Sequence, residues 1–186
     1  MQSFFSQNLF LALIIFLTFI FLVISFYKPK PIINLILTFL FVVLSFVQIK
    51  TVNIRETYKF TPSEIDLQIQ RMNSYPPRLA KLGYILEYKK EAQLVGKLQK
   101  NFFDSLDINL YFLNYFSFLT FPFFIYGIYL FFQNRNKLQK LLLAYCLLLL
   151  TFLGIHGQLG PFIIFPFIGL FIFIGILRLV GFEKKL

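Results

Sequence analysis

Tryptophan is absent from this 186-residue chain, cysteine and histidine occur once each, and only 8 acidic residues stand against 18 basic ones. The single cysteine, Cys146, excludes a disulfide framework. With one histidine, His156, there is no HExxH helix, no paired-cysteine knuckle and no other familiar zinc spacing. A Walker loop, a dinucleotide fingerprint and a Gly-x-Ser-x-Gly elbow are missing as well. Glycine, at 9 residues, shows no period of three, so the chain is not collagenous. Charged side chains make up 14% of the sequence, where a soluble domain carries roughly 25%. Hydrophobic residues reach 58%, above the roughly 45–50% of such a domain. A soluble globule and a disordered chain are both excluded on this composition.

What is present is a set of long charge-free runs: Phe4 to Tyr27, Pro31 to Ile49, Ile108 to Asn134, and Leu141 to Leu177. About 20 apolar residues carry a helix across a hydrocarbon core of roughly 30 Å. The first three runs supply one span each. The last is too long for one crossing and is interrupted by Gly154-Ile155-His156-Gly157-Gln158-Leu159-Gly160-Pro161, whose glycines and proline break a helix. Two spans therefore flank a Gly-rich turn near 154–161, from about Leu138 to Ile155 and from about Phe162 to Leu179. A re-entrant hairpin over 141–177 is the alternative. Met1-Gln2-Ser3 carries no basic side chain and the first apolar run exceeds a signal core, so the first span is expected to stay in the mature protein. The fold class expected is all-α: a multi-pass transmembrane bundle of about five spans with an external amphipathic-helical segment. Residues 1–49 hold the first two spans, 50–107 the external segment, and 108–186 the last three spans with a basic C-terminal tail.

Orientation follows from the Lys and Arg of the short loops. Lys28 and Lys30, then Arg135, Lys137 and Lys140, then Arg178, Lys184 and Lys185 fall on one side, whereas the His156 turn has none. The N-terminus is expected outside and the C-terminus in the cytoplasm or its organellar equivalent. Segment 50–107 holds ten of the eighteen basic residues and seven of the eight acidic ones; its length puts it near the limit where the rule stops counting, and its cations are the argument for the inverted arrangement. Anionic lipid accounts for much of the net charge of +10 without nucleic acid, for which no basic run or ribonucleoprotein motif speaks.

The external segment reads as helical. Thr61-Pro62-Ser63-Glu64 is a capping box with proline at the first helical position. Ile65, Ile69 and Met72 form an apolar stripe up to about Asn73, and Tyr75-Pro76-Pro77 ends it. A second helix begins at Pro77 with Leu79, Leu82 and Leu86, and a third carries Leu94, Val95, Leu98 and Phe102. So few aliphatic residues cannot build a separate core, and the segment needs lipid or a partner subunit as a second layer.

Chemistry has few places to reside. His156 shares the external side with Asp104 and Asp107, so an imidazole–carboxylate group for proton transfer or metal binding is permitted. The alternative is an exposed turn histidine and two aspartates that complement a helix dipole. Inside the spans the polar groups are mild: Asn34, Gln48, Asn114, Thr120, Tyr145, Cys146 and Thr151, without a deep Asp, Glu, Lys or Arg, which argues against a proton-coupled pump. Asn34 and Asn114 are expected to bond between helices. Phe-Pro-Phe occurs at 121–123 and 165–167, in two spans expected to run the same way, with Pro122 kinking its span near the middle and Pro166 near the outer end of its own. The 28 phenylalanines, beside scarce alanine and many Ile, Lys and Asn, fit an A/T-rich coding sequence, so Phe density alone carries no functional argument.

These observations favour a non-catalytic accessory or scaffold subunit of a membrane complex, with lipid and other membrane subunits as partners and no cofactor or metal. A membrane-embedded transferase for a glycosyl or lipid-linked substrate, using His156, Asp104 and Asp107, is the second reading, and a small transporter or channel the third. On the orientation expected, a reporter fused after Lys185 is cytoplasmic, and cysteines placed between residues 60 and 100 react only with reagent applied from outside. The reverse pattern rejects the orientation.

Overall fold

The computed structural model describes residues 9–87, 89–154 and 160–181, all helices and connections without a strand. The expected turn containing His156 falls largely on 155–159, outside the described residues.

Two long helices open the chain, α1 (Leu9–Tyr27) and α2 (Pro31–Thr51). Lys30 is extended and Pro31 occupies the first turn of α2, where its missing N–H costs nothing. Ser25 donates its hydroxyl to Asn34 Oδ1 at 2.8 Å across this hairpin, the interhelical bond expected of Asn34. Together with residues Phe162–Leu179, these are the three helices long and apolar enough to cross a membrane. Their outer faces carry Phe16, Leu35, Phe39 and Phe46 at 60% exposure or more.

The third charge-free run differs from the single span expected. It is divided into α7 (Ile108–Phe112), a reversal, a 3-10 turn at Phe118–Thr120 and α8 (Phe121–Gln133). Tyr115 and Phe116 both donate their N–H to the Tyr111 carbonyl, closing the chain on itself. Asn114 donates back to the Leu110 carbonyl at 3.0 Å, not to another helix. A polar residue that can bond its own backbone favours a turn over a helix interior, and Asn114 and Thr120 do so here, the Thr120 hydroxyl donating to the Ser117 carbonyl at 2.6 Å. Pro122 consequently stands in the first turn of α8 and starts that helix, where mid-span it would have kinked one.

Helix α9 (Lys137–Leu153) ends at Gly154, whose φ of 72° lies in the left-handed region that glycine adopts without penalty. Helix α10 (Phe165–Leu179) follows a 3-10 turn at Phe162–Ile164, and Pro166 lies in its first turn as expected. It forms the axis of the molecule: Phe167, Leu170 and Ile174 are fully buried, and the Phe167 ring meets Phe41 of α2 at 5.3 Å and Phe131 of α8 at 6.1 Å.

Helices α8 and α10 touch through their backbones. A Cβ on Gly127 would collide with the Phe171 carbonyl, and one on Gly175 with the Phe123 carbonyl. The pairs 123–175, 127–171 and 131–167 run in opposite senses along the two helices, so α8 and α10 are antiparallel. The two Phe-Pro-Phe triplets therefore do not lie in segments pointing the same way. Three successive full crossings would have made α8 and α10 parallel; α8, with 13 residues, and α9, with 17, are also short for a crossing.

Gly127→Ala or Gly175→Ala must push these backbones apart and should each cost about 2–3 kcal/mol. Gly96→Ala, which meets open space in a helix, should be neutral or stabilising by up to about 1 kcal/mol. Thermal unfolding in detergent separates the two cases; equal losses at all three glycines would contradict the packing.

Candidate functional site

Between α2 and α7 the chain forms α3 (Ile54–Thr57), α4 (Pro62–Ser74), a 3-10 turn at Pro77–Leu79, α5 (Ala80–Glu87) and α6 (Lys90–Ser105). The expected capping box is formed: Glu64 N–H donates to Thr61 Oγ1, and Thr61 N–H donates to Glu64 Oε2 at 2.9 Å. Tyr75, before Pro76, is extended and ends α4.

Three side chains dock this segment onto the end of α9. The last carbonyls of a helix have no intrahelical partner. Asn101 Nδ2 donates to the Thr151 carbonyl at 3.2 Å, Tyr58 Oη to Phe152 at 2.7 Å and Thr57 Oγ1 to Leu153 at 3.1 Å. Three consecutive carbonyls are thus satisfied from outside the helix. Gly154 belongs to the same joint, since a Cβ there would press on Thr57 at 2.8 Å.

The helical stripes are present, but their orientation within the segment is inverted. Ile65, Ile69, Leu79, Leu82, Leu86, Leu94 and Val95 are all exposed. No apolar side chain among the described residues between 53 and 110 is buried, whereas Thr57, Gln68, Lys97, Asn101 and Ser105 are. Lys97, Asn101 and Ser105 recur every four residues and place one polar face of α6 inward.

Glu64 is the centre of that polar layer. Its Oε2 accepts from Lys97 Nζ at 2.6 Å and its Oε1 from Lys100 Nζ at 2.7 Å, tying α4 to α6. Lys97 is 7% exposed and its ammonium also sits 4.8 Å from the centre of the Phe60 ring. Burial pushes the Glu64 carboxyl up, but the hydrogen bonds from Lys100, Lys97 and Thr61 outweigh it and hold the group down at about 2. Lys100 is raised in turn, chiefly by its bond to Glu64 and against the effect of burial. On the far side, Gln68 donates to the Glu87 carbonyl and Arg71 Nε lies 3.5 Å from Glu87 Oε2. Between α4, α5 and α6 these groups border a cleft of about 950 Å³ with a polar floor and apolar walls that include Leu67, Leu86, Val95 and Phe103.

Asp104 and Asp107, the carboxylates singled out with His156, line a separate pocket of about 300 Å³ with Asn109 and Asn114. Asp107 caps α7, accepting from Asn109 N–H at 2.9 Å. His156 lies outside the described residues, so the trio is not assembled here. Among the described residues no group of three or more His, Cys, Asp or Glu gathers as a metal site. The Glu64–Lys97–Lys100 cluster and the carbonyl caps were not anticipated; the recurrence of polar residues at 97, 101 and 105 is the signal that could have found them.

No protein-family model, curated protein or solved structure matches the chain, and the site is read from its own residues.

Because the folded Glu64 carboxyl is held at about 2 against an ordinary 4.5, its contribution is complete above about pH 4.5 and is lost as the pH falls toward 2. Spin labels at Asp66→Cys and Gln99→Cys, on α4 and α6, should give one narrow distance at pH 6 that broadens over that window. Glu64→Gln should be broad at every pH, since it strands a buried lysine. A distance indifferent to both changes would show that Glu64 does not join the helices.

Proposed function

We propose that the chain is a multi-pass integral membrane protein acting as a non-catalytic accessory or scaffold subunit of a membrane complex. The observation that carries this reading is the inverted burial of segment 50–107. Its helices turn Gln68, Lys97 and Asn101 inward and leave Ile69, Leu82 and their neighbours uncovered. At roughly 25 cal/mol per Å² of apolar surface, such faces are stable only against a second apolar layer, which lipid and partner helices supply.

The orientation proposed puts this segment on the non-cytoplasmic side. In its support, the two short basic turns lie together at the opposite end of α9. Asn134 Nδ2 donates to the Phe26 carbonyl at 3.3 Å, Asn136 Nδ2 to Ser25 at 3.2 Å and Gln139 Nε2 to Leu22 at 3.0 Å. These bonds hold Lys28 and Lys30 beside Arg135 and Lys137, which suits an anionic inner leaflet. Arg178, expected on that same side, instead ends α10 toward the start of α8, at the other end of the pair, because the two helices are antiparallel.

Against a channel stand the phenylalanines of the interior: Phe41, Phe131, Phe162 and Phe167 are at most 1% exposed and fill the space a polar path would need. The transferase reading keeps one observation, the shared pocket of Asp104 and Asp107.

Photo-crosslinking residues placed at Ile69 and Leu82 in native membranes should form adducts with a discrete membrane protein. Asp104→Asn and His156→Ala should leave that adduct and the cellular phenotype nearly unchanged. Loss of the phenotype in a normally folded His156→Ala protein, with no adduct at either site, rejects the scaffold in favour of the enzyme.

A further inference from the structure

We propose that the corner where the α1–α2 and α8–α9 connections meet binds the phosphate of one anionic phospholipid, whose acyl chains lie along Ile32, Leu35 and Phe39 of α2. The proposal rests on the membrane reading above and names a ligand that reading does not require.

Four cations meet at this corner without a counter-charge. Lys28, Lys30, Arg135 and Lys137 are all exposed, and among the described residues none of them is in an ion pair. Neither connection contains an Asp or Glu. Of the eight acidic residues, seven belong to segment 50–107, which is tied to the far end of α9, and Glu183 lies beside Lys184 and Lys185. From Lys137 to the bond at Thr151 is about 21 Å along α9, more than two Debye lengths at physiological salt. The bonds from Asn134, Asn136 and Gln139 to α1 bring the two pairs of cations together from distant parts of the chain.

The backbone adds charge of the same sign. Helices α2 and α9 both begin here, and a helix N-terminus carries roughly half a positive charge on N–H groups that lack an intrahelical partner. Lys30 and Asn136, at the two N-caps, make no side-chain cap bond, and neither first turn holds an acid. Asn136 is committed elsewhere: its Nδ2 donates to Ser25 Oγ at 3.3 Å, and that hydroxyl donates to Asn34 Oδ1 at 2.8 Å, so one serine joins both helix starts. The carbonyls that share the corner are already occupied. Leu22, Ser25 and Phe26 of α1 accept from Gln139, Asn136 and Asn134, and Phe132 of α8 accepts from Lys140 Nζ at 2.8 Å. What is left over is donors and positive charge, the complement of a phosphate.

The neighbouring surface selects an amphiphile. Ile32, Leu35 and Phe39 start two residues after Lys30, follow one face of α2 at i, i+3 and i+7, and are 72%, 73% and 64% exposed. A free phosphate or a nucleic acid would meet the cations and leave this stripe bare. A phospholipid covers both.

Because the chain has no tryptophan, a single one can report the lipid beside it. Leu35→Trp stands on the stripe next to the corner, and Phe16→Trp stands on the outer face of α1, with no charged residue within eleven positions of it; both sites are exposed. The full chain is reconstituted in phosphatidylcholine vesicles into which either phosphatidylglycerol or phosphatidylcholine with brominated acyl chains is titrated. Leu35→Trp should reach half-maximal quenching at a roughly 25-fold lower mole fraction of the anionic lipid, about fivefold for each of two basic side chains, one per connection, at the head group. Lys28→Gln/Lys30→Gln and Arg135→Gln/Lys137→Gln should each reduce this preference roughly fivefold, and all four changes together should abolish it. Phe16→Trp should be quenched equally by both lipids. Inorganic phosphate should leave the preference as chloride of equal ionic strength does. Equal quenching of Leu35→Trp by the two lipids, a preference undiminished in either double variant, or the same preference at Phe16→Trp overturns the proposal and leaves the membrane reading intact. A preference abolished by phosphate but not by chloride makes the corner a free-anion site and overturns the lipid. If Phe16→Trp escapes quenching by both lipids, the membrane reading fails first and the proposal with it.

Discussion

The last carbonyls of a helix have no next turn to bond with, and the end of α9 is where this constraint shapes the molecule. Thr151, Phe152 and Leu153 receive their partners from Asn101, Tyr58 and Thr57, residues that lie 50 or more positions away in the chain. Segment 50–107 is thereby fixed to the apolar helices by polar bonds. Among its described residues from 53 onward, it has no buried apolar side chain with which to attach itself by other means. Once Asn101 is committed inward, the helical period carries Lys97 and Ser105 inward too, and a lysine in that position requires the Glu64 carboxylate. The apolar residues of the same helices are then left on the outside.

The other half of the structure is governed by close packing. Gly127 and Gly175 let α8 and α10 approach until a carbonyl of one helix occupies the place of a side chain on the other. Small residues at a helix crossing take the role that hydrophobic exclusion plays in water, because hydrocarbon offers helices no comparable reason to associate. Phenylalanine fills the remaining space; the Phe131 ring, for example, meets Phe171 at 5.1 Å. A composition rich in Phe is thus used as bulk, with edge-to-face contacts as its geometric preference.

The two regimes meet in the function proposed. A bundle stitched at one end by Asn134, Asn136 and Gln139 and capped at the other by Thr57, Tyr58 and Asn101 is well held along its axis, while its flanks and the segment above it remain apolar. That distribution is the support for the scaffold proposed, whose surfaces lipid and neighbouring chains would complete.

Several features were legible in the linear chain because they depend on near neighbours or on composition. The all-helical class, α1, α2 and α10 as long apolar helices, the Thr61–Glu64 capping box, the stop at Tyr75-Pro76 and the Asn34 bond across a three-residue connection all belong here. Others were not legible. The break at 113–117 depends on Asn114 and Thr120 bonding locally, which a charge-free run conceals. The antiparallel course of α8 and α10 depends on two glycines 48 positions apart that share no spacing motif, and the Glu64–Lys97–Lys100 cluster joins residues at least 33 positions apart. Amino-acid order settled the apolar helices and the local conformations, since hydropathy, proline and capping act within a few residues. Which faces meet was decided by tertiary structure alone, because orphan carbonyls, buried charges and missing Cβ atoms find their complements only when distant segments are brought together.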